Sequence, residues 1–211
     1  MGKLKALKEL KAGHLQQMFP QEGENVPRVR FEGFSGEWEE RRLGEVVSNL
    51  VRGPFGGSLK KEIFVSEGYR VYEQQDAIYG AKTNGRYYIT DEKYDEMSRF
   101  AVEDGDFIIS CSGTIGQIYR LPINSEKGII NQALLKITVD ESKVHPDFFL
   151  QYFRWDKFQQ NITDDTQGGA IKNLIGMEIF KKIELKCPST PEQTAIGNFF
   201  RKLDELIACH Q

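Results

Sequence analysis

Apolar positions along the chain follow two rhythms. Leu4, Leu7, Leu10, Leu15 and Met18 recur mostly at three-residue steps with lysines between them, which predicts a helix over 3–19. Pro20, Gly23 and Pro27 end it. Near the other terminus Ile196, Phe199, Phe200, Leu203, Leu206 and Ile207 form a second stripe. Its start is expected at Thr190 as N-cap, with Pro191 at the first helical position and Gln193 as capping-box partner. The phase survives when Lys3 is written directly after Gln211, so the two helices read as pieces of one. A narrow apolar seam with charged flanks asks for a partner helix. Leu4, Leu7, Leu10, Phe199, Leu203, Leu206 and Ile207 are the expected seam.

Between them, over about 28–187, the periods are shorter. Leu43 to Val47 is a short apolar element, and Tyr69–Tyr72, Tyr87–Ile89, Phe107–Ile109, Gly116–Leu121 and Ala133–Val139 read as strands. Glu103-Asp104-Gly105-Asp106 is a turn. Pro146 opens a helix expected to run to about Gln160, with Phe148, Phe149, Tyr152, Phe153 and Phe158 on its apolar side. Gly168-Gly169 breaks the chain before a short element at Ile171–Ile175. In Phe180–Cys187, Ile183, Leu185 and Cys187 alternate with Lys182, Glu184 and Lys186, as in a half-buried strand. The predicted class is α+β: one globular domain of short strands and helices over 21–188, with helices at 1–20 and 189–211 forming a coiled-coil-like spacer.

Composition narrows the setting. The 211 residues carry 28 Lys plus Arg against 31 Asp plus Glu, a formal charge of −3, so any surface that binds nucleic acid must be a local one. Three scattered cysteines without a CxxC give no disulfide framework and suit a reducing, cytoplasmic setting. No apolar run approaches the roughly 20 residues of a membrane span, and the Lys-rich start is not a secretory signal.

Catalytic signatures are missing. There is no P-loop, no dinucleotide-binding glycine pattern, no HExxH and no GxSxG; His14, His145 and His210 are scattered, so no metal site is expected. The Asn-Pro-Pro-aromatic run of DNA adenine methyltransferases is absent. Pro146-Asp147 followed by Glu184-Leu185-Lys186 matches the loose pattern of metal-dependent nucleases, which needs its carboxylates and lysine to converge on a divalent ion. A helix start explains Asp147 equally well, and the solvent face of a strand explains Glu184 and Lys186.

Four loops are richer in glycine and hydrogen-bonding side chains than connectors require. They are Arg52–Lys61, Gln74–Arg86, Ser110–Gly116 and Thr166–Asn173. Between Arg52 and Lys61 stand three cations and no acid. Gln and Asn amides can read adenine and Arg or Lys guanine, whereas Ser, Thr and Lys beside glycines suit phosphate oxygens. Each loop alone is equally a set of turn residues. Tyr79 and Tyr87 are assigned to core packing first and to base stacking second.

Trp38 to Val46, Gly105-Asp106-Phe107-Ile108-Ile109-Ser110 with Ser112-Gly113-Thr114-Ile115-Gly116, Asn131 to Ile137, and Pro191-Glu192-Gln193 through Ile207 occur in a characteristic order. In this the chain resembles one half of the specificity (S) subunit of type I restriction–modification systems, with a single target recognition domain. Gln74-Gln75-Asp76 departs from the Gly-Asp-Ile of many relatives. The resemblance implies a non-catalytic reader of double-stranded DNA that brings modification (M) subunits to a split target, with restriction (R) subunits joining. S-adenosylmethionine and ATP with magnesium would belong to those partners, leaving this chain no cofactor of its own. The expected DNA contacts are Arg52, Ser58, Lys60, Lys61, Gln74, Gln75, Lys82, Asn84, Thr114, Gln167, Lys172 and Asn173. Pairing of terminal helices between two chains would rebuild a two-domain subunit as a homodimer. The alternative is an interaction or anti-restriction half subunit that binds M without reading DNA.

Overall fold

The computed structural model describes residues 2–55, 57–81, 84–164, 173–174 and 176–210, with backbone alone at 163, 164, 173 and 174. In chain order the elements are α1 (Gly2–Met18), β1 (Glu39–Arg42), α2 (Leu43–Val46), β2 (Val47–Arg52), β3 (Tyr69–Tyr72), α3 (Gln74–Tyr79), β4 (Tyr88–Ile89), α4 (Asp91–Glu96), β5 (Ala101–Val102) and β6 (Phe107–Ser110). They continue with β7 (Ile118–Arg120), β8 (Gly128–Ile130), β9 (Leu134–Val139), α5 (Pro146–Arg154), α6 (Asp156–Ile162), β10 (Thr163–Asp164), β11 (Asn173–Leu174), α7 (Met177–Phe180), β12 (Glu184–Cys187) and α8 (Thr190–Ala208). They sort into two compact units. The first holds Met1–Val46, Asp140–Gln159 and Phe180–Gln211; the second holds Val47–Val139 and Gln160–Ile179.

The first unit is a helical layer with a small ribbon, β1 paired antiparallel to β12 from Glu39↔Cys187 to Arg42↔Glu184. Its core is aromatic. Phe19 is fully buried, with ring centroids of Trp38, Phe148, Tyr152, Trp155 and Phe200 all 5.2–6.2 Å away. In α5 a proline stands in the first turn, Asp147 faces the positive end of the dipole and Arg154 the negative end. Its buried face is Phe148, Phe149, Tyr152 and Phe153. The helix expected through Gln160 is in fact two, because Trp155 adopts an extended backbone (φ −68°, ψ 131°). That break delivers the Trp155 ring to the Phe19 cluster.

The terminal helices lie side by side in one chain, not end to end. Phe19 stacks on Phe200, the His14 ring meets Phe199 edge-on at 5.1 Å, and Lys11 pairs with Asp204 at 2.6 Å. Numbers falling along α1 meet numbers rising along α8, so the pair is antiparallel. Asp204 also accepts from Gln151 Nε2 at 2.9 Å and Arg154 Nη1 at 3.3 Å, so one carboxylate ties α1, α5 and α8. Burial lowers the Lys11 pKa, and the Asp204 charge opposes that shift.

The expected capping box at Thr190 is replaced by a different device. Ser189 is the cap residue and makes no side-chain cap bond. The buried Gln193 instead reaches across the unit: its oxygen accepts from His145 N–H at 2.8 Å and its amide donates to Pro188 O at 2.9 Å. Beside it the buried Glu192 takes a two-pronged ion pair from Arg30, both contacts at 2.7 Å. At Gly197 the α5 backbone comes so close that an added Cβ would sit 2.9 Å from Phe148 N.

The second unit holds two four-stranded sheets. One has the order β2-β9-β6-β7, antiparallel throughout. The other runs β4-β3-β8-β5, with β3 and β8 parallel. Val71 and Ile129 enter one buried cluster, while their neighbours Tyr72 and Ile130 enter another. Successive strand residues point to opposite faces, so this sheet is covered on both sides, as parallel pairs require. Four buried charges are satisfied within this unit. Arg70 pairs with Asp76 at 2.8 Å, Lys136 donates to Ala101 O, and Asp106 accepts from Thr138 Oγ1.

Candidate nucleic-acid interface

Strand pairing gathers several of the loops singled out in the sequence. Arg52, the last residue of β2, lies opposite Leu135 near the start of β9, and Ser110, the last of β6, lies opposite Leu134. In the other sheet Asn131, just after β8, donates its N–H to Tyr72 O at the end of β3. The segments leaving β2, β3, β6 and β8 therefore emerge at one end of the second unit. Gly53 fixes the root of the first: its N–H bonds Leu134 O, and a Cβ there would sit 1.9 Å from Asn131 O. Only glycine allows that approach.

From this root Arg52, Ser58, Lys60 and Lys61 are all exposed. Phe55 between them is 93% exposed. The Arg52 guanidinium lies beside the Cys111 thiol, whose pKa burial pushes up to about 12. That places the first loop against the third.

The third loop is folded on itself. Ser110 Oγ donates to Thr114 O at 2.5 Å and accepts from Gln117 N–H at 3.0 Å, with Gly113 and Gly116 both at positive φ. Gln74 closes it: its amide donates to Ser112 O at 2.5 Å, and its oxygen accepts from Ser112 Oγ at 3.4 Å. The structure thus brings Gln74 and Thr114 together, with the Gln74 amide engaged by the loop backbone and the Thr114 side chain exposed.

The stretch read as a loop from Gln74 is a helix. Glu73 and Asp76 form a reciprocal capping box around the first turn of α3, and that local bonding supplies what the missing apolar stripe does not. Gln75 is exposed with its amide 3.3 Å from Glu73 Oε2. Tyr79, expected in the core, is 76% exposed at the end of α3. Tyr87 is half-buried, stacked on Phe64 at 4.4 Å with Arg86 over its ring. Asn84 is exposed in the segment before β4. Lys82, Gln167 and Lys172 lie outside the described residues, and Asn173 is described by its backbone alone, paired with Asp164.

Sequence reading missed a cleft of about 220 Å³ at this end, lined by Leu59, Lys61, Phe64, Val71, Glu73, Tyr87, Asn131 and Gln132. Burial raises the pKa of the Glu73 carboxyl, with Arg86 pulling the other way. Nothing in sequence spacing connects residues 61, 73, 87 and 132; the parallel β3–β8 pair does.

The helical seam divides into covered and open positions. Leu203 and Ile207 are buried within the chain, and Leu4, Leu7 and Phe199 are half-buried. Leu10 and Leu206 are each 49% exposed.

The nuclease-like triplet does not converge. Asp147 pairs with Arg201 at 3.5 Å, and Lys186 Nζ bonds Asn25 Oδ1 at 2.8 Å. Glu184 faces the neighbouring carboxyl of Glu40 on the β1–β12 ribbon, which raises the Glu184 pKa. Among the described residues no three His, Cys, Asp or Glu side chains group as metal ligands, and no helix is long and apolar enough to cross a membrane.

Comparison with known proteins bears on this arrangement. Residues 35–211 match the family described as the type I restriction modification DNA specificity domain. No curated protein matches the sequence. A chain from a structure of type I R-M complex assembly and conformational transition is similar at TM-score 0.72 and 16% identity, over 99% of this chain and 46% of that one. The HsdS subunit of Thermoanaerobacter tengcongensis is similar at TM-score 0.69 and 16% identity, over the same shares. The type I restriction-modification S subunit of M. genitalium is similar at TM-score 0.57 and 18% identity, over 84% of this chain and 41% of that one. The chain therefore spans about half the length of these relatives.

Proposed function

The chain belongs to the type I restriction–modification DNA specificity family, and from that premise we propose that it reads one half-site of a bipartite target in double-stranded DNA. Residues 21–188 form the recognition domain, and 1–20 with 189–211 form the helical spacer. The observation that carries this reading is the gathering of the Arg52, Gln74, Ser110 and Asn131 segments at one end of the second unit. There Arg52, Lys60 and Lys61 supply local positive charge on a chain of formal charge −3. Lysines and Ser58 hold phosphates, which sets position, and amide side chains read base edges.

The spacer docks M subunits and pairs with a second copy. Leu10 and Leu206, half-exposed near neighbouring parts of α1 and α8, supply apolar surface for that pairing. A two-fold homodimer presents two identical readers and specifies an inverted, interrupted target. Methyl transfer with S-adenosylmethionine, and cleavage driven by ATP, belong to the M and R subunits, and the complex works in the cytoplasm where DNA is accessible.

The test mixes the full chain with its cognate M subunit and S-adenosylmethionine and maps methylation across genome-scale DNA. A two-fold symmetric, interrupted motif is the expected result. An asymmetric motif would replace the homodimer by pairing with a different half subunit. A stable complex with M and no methylation would leave an interaction or anti-restriction protein.

A further inference from the structure

The cleft between β3, β4 and β8 sits at the carboxyl ends of the parallel β3–β8 pair. Such ends are where parallel sheets present ligands, because the loops leaving them diverge. Its volume of about 220 Å³ lies below the roughly 300–1,000 Å³ of pockets for whole cofactors or drug-sized molecules. It suits a part of a larger ligand. Phe64 and Tyr87, stacked at 4.4 Å, give it an aromatic wall. Lys61 stands at the rim, exposed.

The polar groups are an acceptor and an amide. Among the described lining residues Glu73 carries the only carboxylate. Its side chain accepts from the Asp76 N–H in the capping box and lies 3.3 Å from the Gln75 amide, so it is held in place by α3. Gln132 is exposed at the opposite lip. Asn131 beside it is committed to a turn, its side-chain oxygen accepting from Ala133 N–H. A carboxylate is an unfavourable neighbour for phosphates, so its presence in one cleft with Lys61 calls for a donor to receive.

We propose that this cleft receives a base edge of the half-site that presents an amino group, cytosine above all, with Glu73 as acceptor and Gln132 as its companion. The proposal rests on the DNA-reading function above and deepens it. In the major groove cytosine offers an N4 amino donor, which Glu accepts. Thymine and guanine offer acceptors there and meet the carboxylate as repulsion, so the same group selects and rejects. Adenine pairs its N6 donor with an adjacent N7 acceptor, which a carboxylate cannot serve.

The experiment reconstitutes the full chain with cognate M subunit and S-adenosylmethionine on DNA carrying a randomised half-site, and sequences the methylated products. Wild type is expected to favour cytosine at one position by about 5- to 150-fold. Glu73→Gln keeps an acceptor for the α3 cap but adds an N–H donor, and a Gln amide complements the N6 donor and N7 acceptor of adenine, so the cytosine preference at that position should weaken and adenine should be admitted. Gln132→Ala, an exposed change outside the cap, should weaken preference at the same or the adjacent position. Far-ultraviolet circular dichroism and co-purification with M establish that each variant is folded. A motif unchanged in both variants overturns the cleft assignment, as does an equal loss on all sequences. A wild-type complex that methylates without any sequence preference overturns both the cleft and the function it rests on.

Discussion

Gly13 and Gly197 both occupy helix interiors, and the structure predicts opposite responses when each becomes alanine. Helix propensity favours alanine by about 0.8–1.0 kcal/mol at either site. At Gly13, in α1, an added methyl meets nothing within 4 Å. Gly13→Ala should therefore stabilise the protein by about that amount. At Gly197, in α8, the same methyl would lie 2.9 Å from Phe148 N, 3.0 Å from Asp147 Cβ and 3.0 Å from the His145 ring. Two of these neighbours belong to the first turn of α5 and the third to its cap, which cannot yield without moving the helix. Overpacking of this kind costs about 1–3 kcal/mol. Since the propensity gain is common to both substitutions, the two variants should differ by about 1–3 kcal/mol, with Gly197→Ala the less stable. Urea denaturation of both proteins and wild type, at one protein concentration, measures the difference directly. Equal stabilisation by the two substitutions would refute the close approach of α5 to α8 on which the description of the helical layer depends.

Other consequences can be measured the same way. Arg30→Ala leaves the Glu192 carboxylate, 1% exposed, without its ion pair, and should cost about 3–5 kcal/mol in urea denaturation; Arg30→Lys should not restore it, because an ammonium cannot make the two-pronged contact. Burial holds the thiols of Cys111 and Cys187 protonated up to about 12, against 9.0 when unperturbed. The native state thus keeps protons that the unfolded chain releases from about pH 9, and stability should fall by about 1.4 kcal/mol per thiol per pH unit between 9 and 12. A Cys111→Ala, Cys187→Ala double variant should flatten that part of a melting-temperature profile, and an unchanged slope would count against it. Lys60→Ala and Lys61→Ala should each weaken binding on all sequences and reduce the slope of log affinity against log salt by about 0.9; a change of preference at one base would instead make the residue a reader.

Elements built on a buried stripe were legible in the sequence, whereas those built on a single polar bond were not. The burial of β6 and β9 shows in Phe107-Ile108-Ile109 and Leu134-Leu135, and α8 in its apolar spacing. In contrast α3 owes its helix to Glu73 and Asp76, and carries buried Ala77 alone as an apolar anchor. Trp155 reads as one more aromatic on a helical face until its extended backbone is seen. Gln193 fits a capping box by spacing, yet its side chain bonds His145, 48 positions away. Such long-range bonds leave no local period. The same holds for the candidate site. Arg52, Lys60 and Lys61 stand out in the sequence by charge alone, but the Glu73–Gln132 cleft exists only because β3 and β8 run parallel. Gln74 was read by its chemistry as a base contact; its amide is one of the groups that shape the Ser112–Thr114 turn.

Asp204 holds three helices by one carboxylate, and so α1 and α5 cannot creep along α8 by fractions of a turn. A displaced helix would need a new acceptor about 5.4 Å along the axis. One turn back along α8 stand Phe200 and Arg201, and one turn forward Ile207 and Ala208. None accepts a bond from Lys11. The helical layer therefore has one register mark, a single carboxylate against which both α1 and α5 are set.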